Sequence, residues 1–84
     1  MWGWSVPKLA SIADDKSGRS PVYMFQNGQQ LPHPHALHDE IKSVGLGRFS
    51  HWSEFVWFST LANTDPNSEQ GHFALLVPRD RMPT

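Results

Sequence analysis

The fold is decided by the reading of residues 47–60, GRFSHWSEFVWFST. Phe49, Trp52, Phe55, Trp57 and Phe58 make this the most aromatic part of the chain. Phe55, Val56, Trp57 and Phe58 are bulky or β-branched and suit a pleated surface. A helix is the competing reading, with Ser50 as its cap and Trp52, Phe55, Val56 and Ser59 along one side. We read Glu54–Thr60 as a strand. Its apolar side chains fall on both faces, so it is expected either inside a sheet or with one face covered by a partner.

Working outward toward the C-terminus, NTDPNSEQG (Asn63–Gly71) is a turn-rich loop. HFALLV (His72–Val77) is a second strand, closed by Pro78. The two strands are expected to form the main hairpin. The polar tail, residues 79–84, is expected to fray.

Toward the N-terminus, Pro34–Val44 is the expected central helix. Pro34 suits its first turn and Gly45 the position just beyond its end. Leu37, Ile41 and Val44 form an apolar stripe, and His35, His38 and Lys42 cluster on the opposite side. Val22–Phe25 is a strand, followed by Asn27-Gly28, the favoured dipeptide of a type I′ hairpin turn. Gln29–Leu31 makes a short return strand that Pro32 ends. Residues 14–21 (DDKSGRSP) form a loop. Pro7, Leu9, Ile12 and Ala13 predict a two-turn helix within Met1–Asp15.

The expected architecture is therefore a small α+β domain over residues 1–84. It has two β-hairpins, one central helix and a short N-terminal helical segment. Residues 1–15 form the N-terminal segment, 22–78 the core and 79–84 a flexible tail.

Composition narrows the function. The chain has 84 residues, a net charge of −1 and no cysteine. It has room for one small domain, no charge excess to drive strong binding to bulk nucleic acid, and no thiolate metal or redox centre. No apolar run approaches the roughly 18 residues of a membrane-spanning helix. The N-terminus has no basic stretch followed by an apolar one, so a cytoplasmic location is expected. Aromatics make up 12% of the residues, so they supply core in place of scarce aliphatics. Near-zero charge together with surplus apolar surface makes a homo-oligomer an open expectation.

Several groups of residues carry candidate chemistry. His33, His35 and His38 could share one zinc ion, leaving a position for water, with Asp39 or Glu40 as base. The same imidazoles, placed near a helix start, would repel one another on protonation. Asn63, Asp65, Asn67 and Glu69 alternate like half of a calcium loop. Pro66 and Ser68 depart from that pattern, and Ala74 stands where its bidentate acid belongs, so a turn-forming loop explains them better. Ser50, His51, Ser53, Glu54 and His72 offer nucleophile and base types without any motif, and the expected hairpin would hold His51 and His72 apart. Gly45-Leu-Gly47-Arg48, followed by Phe49, His51 and Trp52, could hold a phosphate and stack a base.

The leading expectation is a non-catalytic protein-binding module, a subunit or inhibitor, that docks onto a larger protein and needs no cofactor. Its contact candidates are Arg48, Trp52, Phe55, Trp57, His35, His38 and Lys42. The alternatives are a metal-dependent hydrolase or nuclease using zinc on His33, His35 and His38, and a domain that stacks a sugar or nucleotide on Trp52.

Overall fold

The chain forms β1 (Trp2–Ser5), a 3₁₀ stretch (Pro7–Ile12), α1 (Asp14–Ser17), β2 (Tyr23–Gln26), β3 (Gln29–Gln30), α2 (His38–Ser43), β4 (Phe49–Trp52), β5 (Phe55–Phe58), β6 (Phe73–Leu76) and a 3₁₀ turn (Arg79–Arg81). The computed structural model describes residues 1–17, 19–67 and 72–82. Two antiparallel three-stranded sheets result, ordered β1-β5-β4 and β3-β2-β6. The class is α+β, with helix the minor part.

The aromatic stretch is two strands rather than one. β4 and β5 pair with Phe49 opposite Phe58 and Trp52 opposite Phe55, around a turn at Ser53–Glu54. Ser53 has φ +54°, the left-handed value that a type II′ hairpin turn requires at its first central position. Asp15 holds it there, because both the amide and the hydroxyl of Ser53 donate to that carboxylate at 2.7 Å. The expected hairpin of residues 54–60 with 72–77 does not form. β6 pairs with β2 instead, Tyr23 opposite Leu76, and β5 is flanked by β1 and β4.

The central helix is shorter than residues 34–44. It starts at His38, because residues 33–36 are drawn to the start of β4 instead. Phe49 N donates to His33 O and Ala36 N to Phe49 O, both at 3.0 Å. His35 has φ +56°, outside any helix. The stripe is lost with the early turns: Ile41 is fully buried, but Leu37 is 69% exposed and Val44 is exposed. The N-terminal segment is also corrected. Its Trp-rich start is strand β1 on the edge of a sheet, its 3₁₀ stretch begins at Pro7 as the proline suggests, and Asp14–Ser17 of the expected loop is helical. Arg79–Arg81 of the expected frayed tail forms one 3₁₀ turn.

Strand alternation divides the side chains between faces. Phe49, Val56 and Phe58 face the second sheet and pack with its Met24 and Leu31; Trp2, Trp4, Phe73 and Leu75 border this core. Fully burying such a side chain stabilises by about 1.5–3 kcal/mol. Gln26 Oε1 accepts from Leu61 N at 2.9 Å, linking β2 to the chain beyond β5. The other face of β4 and β5 carries Ser50, Trp52, Phe55 and Trp57. α2 packs against β5, and Ser59 Oγ donates to Ile41 O at 2.6 Å. Gly3 lies opposite Trp57, and a β-carbon there would fall 2.6 Å from ring atom Cζ3. The ring lies over the glycine because no side chain is in its way. Among the described residues, no helix is long and apolar enough to cross a membrane.

Candidate functional site

The outer face of β4 and β5 gathers an aromatic group. The Phe55 and Trp57 rings lie 5.1 Å apart between centroids. His38, from the first turn of α2, meets both tryptophans edge-on, with its ring centroid 6.0 Å from that of Trp52 and 6.2 Å from that of Trp57. Trp52 remains 48% exposed. Beside it opens a cleft of about 660 Å³ between α1, residues 35–39 and β4; Asp14, Arg19, His35, Asp39, Ser50 and Trp52 are among the residues lining it.

Asp14 organises the floor of the cleft. Its Oδ1 accepts from Ser20 N at 2.7 Å and from His35 Nδ1 at 2.8 Å, while Oδ2 accepts from His51 N at 3.3 Å. A carboxylate only accepts, so His35 carries its proton on Nδ1 and keeps Nε2 for other partners. Behind this floor His51 is 1% exposed. It shares a 2.7 Å hydrogen bond between Nδ1 and Ser20 Oγ, and its Nε2 has no partner among the described residues. Burial holds the imidazole below its usual pKa, and the Asp14 and Asp15 carboxylates partly oppose that shift. Ser50, 3% exposed, likewise has no hydrogen bond to its Oγ among the described residues.

The predicted contact residues divide. Trp52, Phe55, Trp57 and His38 come together, and His35 lies across the cleft from the sheet. Arg48 is turned to its own neighbourhood, donating to Gly45 O at 3.1 Å and lying 4.0 Å from Glu40 Oε2, so the glycine-rich phosphate loop has its guanidinium occupied. Lys42 borders a separate depression near Met1 and Trp2.

The zinc set of His33, His35 and His38 is not assembled. Among the described residues, no group of three or more His, Asp or Glu side chains is placed to hold a metal ion. The reason is the late helix start, which removes the one-turn spacing of His35 and His38. His35 is instead bonded to Asp14, and His38 packs on the tryptophans. In the supposed calcium loop, Asn63 bonds Leu46 N and Val44 O, and Asp65 Oδ1 accepts from Asn67 N, as a local turn does; Glu69 lies outside the described residues. His72 is tied to the Asn27 turn of the other sheet, so it does not join His51.

Sequence reasoning missed Asp14, Arg19 and Ser20, which sit in a segment read as a plain loop. Its one local signal was the paired acids Asp14-Asp15 before a polar run; their targets, Ser20, His35, His51 and Ser53, are mostly remote in sequence. Comparison with protein-family models, with curated proteins and with solved structures finds no match for this chain.

Proposed function

We propose that this chain is a non-catalytic binding module that docks onto a larger protein through the outer face of β4 and β5. The observation that carries the reading is the grouping of Trp52, Phe55, Trp57 and His38 on a face that the core between the sheets does not use. Tryptophan dominates interface energies because a rigid ring removes much area from water at little entropic cost. Half-exposed Trp52 is the anchor, and Phe55 and Trp57 are the surrounding apolar ring.

The test compares wild type with Trp52→Ala and Phe55→Ala in affinity capture followed by quantitative mass spectrometry. One stoichiometric protein should be retained by wild type and lost with Trp52→Ala, while the melting temperature stays within about 2 °C. Retention of the same protein by both variants would refute the docking face. A second reading, a small ligand stacked on Trp52, is favoured by the cleft beside that ring.

A further inference from the structure

We infer that the cleft beside Trp52 binds a neutral saccharide unit. The inference goes beyond the docking reading and shares only Trp52 and His38 with it. The cleft, about 660 Å³, falls within the roughly 300–1,000 Å³ of small-molecule sites. Trp52 and Leu37, 48% and 69% exposed, give it an apolar wall. The C–H face of a pyranose ring packs on such a wall as other apolar surface does.

The polar lining selects the ligand class by charge. Arg19 and Asp39 both border the cleft, and neither side chain forms an ion pair among the described residues. Asp14 adds a second carboxylate, already engaged by three donors. A phosphate or carboxylate ligand would be drawn to Arg19 but would face Asp39 and Asp14. An ammonium or guanidinium ligand would be drawn to Asp39 and Asp14 but would face Arg19. A hydroxyl suits both signs, because it donates to a carboxylate and accepts from a guanidinium without bringing charge. A ring bearing several hydroxyls can offer both donors and acceptors to the Arg19, Asp39 and His35 side chains that line the cleft.

Ser50 gives the second, independent pointer. It borders the cleft, is 3% exposed, and its Oγ has no partner among the described residues. A buried hydroxyl left unpaired weakens a fold. The Oγ is itself closed off from solvent, so a ligand hydroxyl seated in the cleft supplies the missing partner once the serine side chain turns toward it.

The experiment is a titration of the whole chain, followed by ¹⁵N-NMR and tryptophan fluorescence. The probes are glucose, galactose, mannose, N-acetylglucosamine and their disaccharides, with adenosine monophosphate and inorganic phosphate beside them. At least one saccharide should saturate, with shifts at the Trp52 indole, Ser50 and Asp39. Ser50→Ala should weaken binding about tenfold without lowering the melting temperature, since it removes an unpaired group. Arg19→Ala and Asp39→Asn are exposed and carry the same test should the serine variant misfold. Phe55→Ala should leave saccharide binding intact, and Ser50→Ala should leave any protein docking intact, so the two readings fail separately. The inference is overturned if no saccharide shifts Trp52 at about 50 mM, well above a weak-site Kd of roughly 1 mM. It is also overturned if phosphate or the nucleotide binds there in preference, or if Ser50→Ala, Arg19→Ala and Asp39→Asn all bind like wild type.

Discussion

Gly3→Ala is the sharpest probe of how the aromatic face is held. The added methyl would lie 2.6, 3.0 and 3.2 Å from Cζ3, Cε3 and Cη2 of Trp57. Carbon atoms rest at about 3.5–4.0 Å, so the ring must retreat by roughly 1 Å. Phe55 and His38 flank the ring and limit where it can go. Overpacking of this kind costs about 1–3 kcal/mol. Against it stands a gain of about 0.5–1 kcal/mol, because alanine loses less backbone entropy in a strand than glycine. The net loss is about 1 kcal/mol, or a fall of about 4–8 °C in melting temperature for a domain this size. Thermal unfolding followed by near-ultraviolet circular dichroism reads both the loss and the displaced indole. A double-mutant cycle with Trp57→Leu isolates the cause. Without the ring, Gly3→Ala should be neutral or stabilising. An equal cost in both backgrounds, or an unchanged spectrum and melting temperature in the single variant, would refute the reasoning.

Three further outcomes are expected. His51 is buried with its pKa held below 6.5, so the unfolded chain takes up a proton more readily than the folded one. Its contribution is complete above about pH 6.5 and is lost as pH falls toward the folded pKa, at up to about 1.4 kcal/mol per pH unit. Urea unfolding of wild type against His51→Gln between about pH 7 and pH 5 should show a steeper fall in wild type than in the variant, the difference being the His51 contribution. Met24→Ala empties a fully buried position between the sheets and should cost about 2–5 kcal/mol, enough to abolish a cooperative transition in a small domain if stability is marginal; a sharp transition at the wild-type urea midpoint would contradict that core. Gly28 has φ +80° and open space around it, so Gly28→Ala should cost about 1 kcal/mol through conformation alone, and Gly28→Asn less; equal stability of all three would remove the turn argument.

What the sequence disclosed was local. Asn27-Gly28 specifies its own turn, both residues take positive φ, and the short strands on either side follow from it. Gly45 ends its helix for an equally local reason, its φ of +69°; its close approach to Asn63, where a β-carbon would collide, is a remote contact that adds to it. What stayed hidden depended on remote partners. Nothing near Ser53 marks a turn, since the group that stabilises it is Asp15. Pro34 looks like a helix start, yet hydrogen bonds to Phe49 hold residues 33–36 out of the helix. The candidate site divides along the same line. Trp52, Phe55 and Trp57 were legible because their surplus bulk is a property of one stretch. The cleft beside them was not, because Asp14, Arg19 and Ser50 meet only once α1 has packed on β4.

The two sheets share a construction with a consequence for synthesis. Each combines one hairpin closed by a tight turn, β4–β5 and β2–β3, with one strand brought from far along the chain: Trp2 comes to lie opposite Phe58, and Tyr23 opposite Leu76. Such distant pairings form slowly, because a long loop must close before any contact compensates for the lost entropy. On the ribosome β1 is made before its partner strand exists. Trp2 and Trp4 therefore have no partner strand to pair with until β5 has left the ribosome. The segment that completes the aromatic sheet is thus one that a nascent-chain chaperone has time to hold before its partner strand arrives.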